Sequence, residues 1–237
     1  MQKPLVLITG ASSEIGTALI KRINDQIDGS YLFTCFRQSE SIFDAETLCV
    51  DLSKKEEIEK FAESIKYKEI THFIQLQGST IMQDNIENQS FDSLEFNLNI
   101  NLHSSILILR HIIAGMKTRQ FGRIVLMNTA SSEYGGGIDS FGYGLAKHAV
   151  SYVVKYLAKH YSKYNILTNC VSPGLIATKI HQTTFGRSKE DIENRSTTVR
   201  VGHAGTADDV AKVIFGLSFD NEFISGENIK IDGADFI

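Results

Sequence analysis

Tyr143 and Lys147 stand four residues apart in a stretch, Phe141 to Tyr164, whose apolar residues recur at helical spacing. A helix there presents the phenol and the ammonium on one face. A free tyrosine titrates at about pH 10, and a fixed positive charge near its oxygen favours the phenolate, drawing the group toward general acid/base work. Such a pair suits proton exchange with a carbonyl or alcohol oxygen. Thr129, Ser131 and Ser132 offer hydroxyls just after the apolar run Arg123 to Asn128, and Ser132 with Gly135 makes a local Ser-x-x-Gly pattern. A second group of residues has the chemistry of binding. In Thr9-Gly10-Ala11-Ser12-Ser13-Glu14-Ile15-Gly16, Gly10 permits a tight turn after a strand and Gly16 lets the next helix pack closely. The backbone N–H groups at that helix start attract phosphate.

These residues need elements to hold them. Short β-rich runs at Leu5 to Thr9, Tyr31 to Phe36, Thr47 to Val50, His72 to Leu76, Arg123 to Asn128, Leu167 to Val171 and Asn228 to Ile231 read as strands. Helical spacing fills Ile15 to Ile27, Lys54 to Tyr67, Phe91 to Thr118, Phe141 to Tyr164 and Ala207 to Leu217. This alternation demands crossover connections, so the expected fold is α/β: a single Rossmann-type doubly wound parallel sheet of about seven strands with helices on both faces. No repeat or linker interrupts residues 1–237, which read as one domain. Between Thr178 and Thr206, charges and Gly186, Gly202 and Gly205 surround a weak helical stretch, so a mobile substrate loop is expected around 179–205. The helix with Tyr143 follows the fifth strand, at the carboxyl ends where open α/β sheets bind ligands and where the Gly10 turn also lies. The second strand has no Asp or Glu at its tip to take ribose hydroxyls; Arg37 stands there instead, placed to pair with a 2'-phosphate, with Ser12 and Ser13 adding hydroxyls. NADP(H) is therefore favoured over NAD(H).

Composition narrows the function classes. A formal charge of -4 argues against a nucleic-acid partner. No apolar run approaches the roughly 18 residues that span a bilayer, and Met1 to Pro4 lead straight into a strand without a signal-peptide pattern, so a cytoplasmic protein with no membrane partner is expected. Cys35, Cys49 and Cys170 form no close pair and fit reduced core thiols rather than a disulfide framework or a metal site.

Taken in order, these motifs resemble the short-chain dehydrogenase/reductase family over nearly the whole chain, from Leu5 to Gly233, and 3-oxoacyl-carrier-protein reductase-like members within it. The glycine turn is similar to the family's Thr-Gly-x-x-x-Gly-x-Gly, with Glu14 where the middle glycine usually sits; its side chain is expected to face away from the cofactor. Tyr143-x-x-x-Lys147 matches the catalytic pair, in which the lysine also holds the ribose. The resemblance implies that Asp51, in Asp51-Leu52, accepts from the adenine amino group, and that Asn101 completes a proton relay through a backbone-bound water. It implies that Ile176 and Thr178, after the Pro173-Gly174 turn, hold the carboxamide or a phosphate. Counting forward from Gly122-Arg123-Ile124-Val125 puts the family's substrate-binding serine at Thr129, whereas counting back from Tyr143 reaches Ala130. An insertion is easier in the loop Ser132 to Ser140 than in a buried strand, so Thr129 is the first choice and Ser131 the second. Gln75-Leu76-Gln77-Gly78 replaces Asn-Asn-Ala-Gly and keeps only Gly78 as a cofactor-side residue, so packing of the central strands is expected to differ there.

The reading that follows is an oxidoreductase interconverting a carbonyl and a secondary alcohol, acting on a small-molecule ketone, acyl thioester or keto-sugar. The alternative is a non-catalytic dinucleotide-binding sensor or scaffold, which the altered serine and Asn-Asn-Ala-Gly positions favour and the retained Tyr143, Lys147 and Asn101 oppose. An epimerase or dehydratase of the longer branch would need a sizeable substrate domain after the last strand. A homodimer or homotetramer is expected, because the helices around Ile106, Ile108, Val150 and Val153 carry more apolar residues than one buried face requires.

Overall fold

Apolar residues follow one another along the inner strands, so both faces of a central sheet carry apolar side chains and must be covered, and that is the architecture of the computed structural model, which describes residues 3–35, 45–81, 85–184, 186 and 188–236. The strands are β1 (Leu5–Thr9), β2 (Ser30–Cys35), β3 (Glu46–Cys49), β4 (His72–Gln75), β5 (Gly122–Met127), β6 (Ile166–Pro173) and β7 (Asn228–Ile231). They form one sheet in the order β3-β2-β1-β4-β5-β6-β7, and every neighbouring pair is parallel. Strand ends differ from the sequence expectation by a residue or two; Phe36, the expected end of the second strand, lies outside the described residues. The helices are α1 (Glu14–Gln26), α2 (Lys55–Ser64), α3 (Phe91–Leu98), α4 (Ser104–Arg119), α5 (Phe141–Tyr161), α6 (Ile180–Thr183), α7 (Lys189–Ser196) and α8 (Ala207–Phe215).

Val6 and Ile8 of β1 join Leu19, Ile23, Val210 and Ile214 under α1 and α8. Leu7, between them, faces the other way and packs with Ile58, Ile108, Ile112, Val150 and Val154 of α2, α4 and α5. Ile108 and Val150 therefore belong to the core, and the expectation that they form a surplus apolar surface is corrected. The surface set on these helices is Ile106, Phe141, Leu145, Tyr152 and Tyr156.

Two features bear on the site. The chain builds outward from β1 to β3 and then returns to start β4 on the other side of β1, so a crevice opens at the carboxyl ends of β1 and β4, where the direction of winding reverses. The expected single helix from Phe91 is interrupted: a π turn at Asn99–His103 separates α3 from α4, with Ser104 N–H donating to Asn99 O. Such bulges re-aim side chains and are frequent at functional sites. The segment expected to form a substrate loop carries α6 and α7. Among the described residues, no helix is long and apolar enough to cross a membrane.

Candidate active site

Lys147 is the most informative side chain because it is fully buried yet carries an ionisable amine. Its Nζ donates to Met127 O at 3.0 Å and to Gln77 O at 3.4 Å, which leaves one of an ammonium's three donors for a ligand. The two acceptors are themselves held. Gln75 Nε2 donates to Gln77 O at 2.6 Å while Gln75 Oε1 accepts from Met127 N at 2.9 Å, so one side-chain amide extends the pairing of β4 and β5 past the strand end. Gln77 Oε1 accepts a short bond from the Thr9 hydroxyl, and its Nε2 donates to Ser104 Oγ at 3.1 Å. In the Gln75 to Gly78 departure noted in the sequence, Gln75 and Gln77 thus tie the ends of the central strands, and the Gln77 carbonyl supports Lys147, a role no sequence signal showed.

Burial pushes the Lys147 amine down to about 7. Tyr143 sits one turn earlier in α5, with Lys147 Nζ 5.7 Å from its ring centroid. Loss of water around the phenol pushes it up to about 12. The expectation that the ammonium lowers the phenol's pKa is corrected: burial shifts the group the other way, toward the protonated phenol.

Tyr143 and Lys147 line one cavity of 820 Å³ together with Thr129, Ser131, Gly78, the turn Ser12 to Ile15, and Pro173, Gly174, Ile176 and Thr178. Thr129 Oγ1 and Ser131 Oγ lie 3.2 Å apart, so both hydroxyls the sequence left open face the same space. Ser132 does not join them; its hydroxyl turns inward to Asn128 Oδ1 and Thr129 O. Asn101 is buried in the π turn and lies outside the cavity wall. Its Nδ2 donates to Ser79 O at 2.8 Å and Asn97 O at 2.9 Å, and its Oδ1 accepts from Ser79 N at 3.3 Å. A Cβ on Gly78 would stand 3.4 Å from Lys147 Nζ and 3.5 Å from Asn101 Oδ1, so the bare glycine keeps the approach to the ammonium open.

The phosphate turn fits a dinucleotide. Gly10 has φ +72°, and a Cβ there would stand 2.6 Å from Gln77 N; on Gly16 it would stand 2.3 Å from Ala11 O. Both glycines shape the turn from behind rather than line the cavity. Ser13 caps α1, its Oγ accepting from Gly16 N at 3.0 Å, and the first-turn amides beyond it have no partner within the helix. Glu14 corrects an expectation: its side chain does not face away but lines the cavity, because Oε2 accepts from the Lys179 backbone N–H at 2.6 Å. Asp51 and Leu52 are not among the residues that line the cavity. Asp51 Oδ1 accepts from Ser53 N and Ser53 Oγ, and Lys54 stands 3.4 Å away. Partial burial opposes ionisation, but these partners hold the carboxyl below its ordinary range. Leu52 is buried in the core, so its side chain does not reach the cavity. Arg37 lies outside the described residues. No cluster of His, Cys, Asp or Glu suited to a metal occurs among the described residues.

A family model described as Enoyl-(Acyl carrier protein) reductase matches residues 34–233. The chain belongs to the short-chain dehydrogenase/reductase family. The 3-oxoacyl-(acyl-carrier-protein) reductase FabG of Haemophilus influenzae is 27% identical over 99% of this chain and 98% of its own. An NAD-dependent glycerol dehydrogenase of Listeria innocua is 28% identical over 97% of this chain and 92% of its own. Among solved structures, an NAD(P)-dependent dehydrogenase from Beutenbergia cavernae with NADP bound at low occupancy superposes with a TM-score of 0.85 at 21% identity, over 98% of this chain and 96% of that one. Membership makes this an oxidoreductase family chain of the NAD(P)-dependent kind. Two residues that line the cavity, Arg195 and Asp235, escaped the sequence reading, since nothing in the chain links positions 40 residues apart.

Proposed function

We propose that the chain is an NADP(H)-dependent oxidoreductase that interconverts a carbonyl and a secondary alcohol, with Tyr143 as general acid and base. The observation that supports it is the sharing of one cavity by Tyr143, Lys147, Thr129 and Ser131 with the phosphate turn and the Pro173 to Thr178 segment. The nicotinamide, when bound, supplies or accepts the hydride. In reduction, the Tyr143 hydroxyl gives its proton to the substrate oxygen, a transfer for which a protonated phenol is already in the right state. Thr129 or Ser131 donates a hydrogen bond to the same oxygen and orients it. Lys147, held by the Met127 and Gln77 carbonyls, turns its remaining donor toward the ribose. Asn101, anchored to the Ser79 backbone beside Gly78, is the residue that would pass protons between the site and solvent. Arg37, two residues past Cys35 in the sequence, supports selection of a 2'-phosphate. Residues 1–237 act as one unit, with the 179–205 segment adjusting to substrate.

Tyr143→Phe, assayed with NADPH over a panel of ketones, 3-oxoacyl thioesters and keto-sugars, is expected to lose about 100-fold to 10,000-fold in turnover while binding NADPH with wild-type affinity. Fluorescence titration of both cofactors is expected to show tighter NADPH than NADH, with the difference lost in Arg37→Ala. A Tyr143→Phe variant with wild-type turnover overturns the chemistry. Cofactor binding without turnover of any panel member by the wild type supports the sensor reading instead.

A further inference from the structure

One wall of the cavity is built from α7 and the residues after β7. There Arg195 Nη2 donates to Asp235 Oδ2 at 2.5 Å and Nη1 to Thr198 Oγ1 at 2.6 Å. The Asp235 side chain is only 5% exposed while that of Arg195 is 37% exposed, so a nearly buried carboxylate sits against a guanidinium that still meets the cavity. Asp235 is not free to swing away. Ala234 N and Phe236 N donate to the Asp232 carboxylate at 3.0 and 3.3 Å, and Phe236 O accepts from the Tyr134 hydroxyl at 2.7 Å with the two rings stacked. Tyr134 closes the short helix that begins just after Thr129, which puts this wall on the side of the substrate hydroxyls and Tyr143.

The pair presents a defined chemistry to whatever occupies that wall. A guanidinium has five N–H donors, and Asp235 and Thr198 use two of its groups, so donors remain for a ligand. A second carboxylate arriving there meets Asp235, a like charge whose counterion is already committed. A hydroxyl meets no such penalty, because it can accept from Arg195 and donate to Asp235. Resting on the reading of this cavity as a carbonyl/alcohol site, we propose that Arg195 and Asp235 are its specificity-determining pair: they accept a neutral, hydroxyl-bearing end of the substrate and refuse a carboxylate.

The test uses two ketones of equal chain length that differ only at that end, 5-hydroxy-2-pentanone and levulinate. With NADPH, the wild type is expected to favour the hydroxyketone by about tenfold or more in kcat/KM, a like-charge cost of about 1.4 kcal/mol. Asp235→Asn frees Arg195 and is expected to shift the ratio at least tenfold toward levulinate; Asp235→Ser provides the same release should the first variant fold poorly. Adding Arg195→Gln is expected to cancel the shift. Calorimetric titration of levulinate into each cofactor-loaded protein reads the same change as a Kd, without turnover. Levulinate binding that is no tighter in the Asp235 variants, or that survives Arg195→Gln, overturns the proposal, as does levulinate that binds none of them. Failure of the oxidoreductase reading itself is distinct: it shows as a wild type that oxidises no NADPH with any ketone, while the titrations still decide the pair.

Discussion

Lys147 brings a titratable amine into a place without water, and its cost is visible in pH dependence. In the unfolded chain the amine keeps its proton up to about 10.5, whereas the folded one releases it at about 7. Between those values the unfolded state binds more protons, so stability rises with pH. Cofactor-free protein is expected to gain up to about 1.4 kcal/mol of unfolding free energy per pH unit between pH 7 and 8.5, measured by urea denaturation. The window is clean. His72, pushed down to about 4 by burial, has finished titrating below it. Cys170, pushed from 9.0 up to about 12 by burial, begins to act at the upper edge of the window and with the opposite sign. Lys147→Met is expected to flatten the rise, and an equal rise in the variant removes this account. Tyr143 supplies the kinetic counterpart: its phenol is pushed up to about 12, so oxidation, which needs the phenolate, is expected to quicken as pH rises while reduction does not.

At the scale of elements, the turn from β1 into α1 combines a site for phosphate with a carboxylate that competes for it. Glu14 stands in the first turn of α1, a favourable position for an anion, and it bonds the Lys179 amide across the cavity mouth. A bound pyrophosphate would share that space with a negative charge. Glu14→Gln keeps the acceptor for Lys179 and removes the charge. It is expected to tighten NADPH binding by a few-fold, in line with roughly 0.5–1 kcal/mol for a charge at a helix start. Cofactor titration checks this, and unchanged or weaker binding assigns Glu14 to the support of the bound state instead. Gly16 admits no comparable change. A methyl group there would overlap Ala11 O, so Gly16→Ala separates helix from strand.

At the scale of the molecule, α4 and α5 leave Ile106, Leu145, Tyr152 and Tyr156 exposed beside the core residues they share. Tyr152 is 72% exposed, and its ring lies 6.5 Å from that of Tyr156, a large aromatic surface for an isolated chain. We expect these helices to pair with those of a second copy in a dimer or tetramer. Light scattering at micromolar concentration is expected to give at least twice the chain mass, and Tyr152→Glu is expected to shift it toward the monomer. A monomeric wild type contradicts the idea.

The strand and helix order, the glycine turn, and the Tyr143 and Lys147 pair were legible in the chain itself, because each depends on residue type and short spacing. Backbone periodicity and the i, i+4 geometry of a helix need no knowledge of what lies across the fold. Other features required tertiary structure. Residue counting ranked Thr129 ahead of Ser131, but the short helix after β5 turns both toward the cavity while turning Ser132 away. The state of Tyr143 followed from burial, which no local pattern encodes, and it reversed the expected direction of the phenol's pKa. Glu14 and Lys179 lie 165 positions apart, and Arg195 and Asp235 lie 40 apart. What decides such pairs is the crossing of separate elements over one crevice. Their energies depend on distance and on the exclusion of water, and only the packed chain sets either.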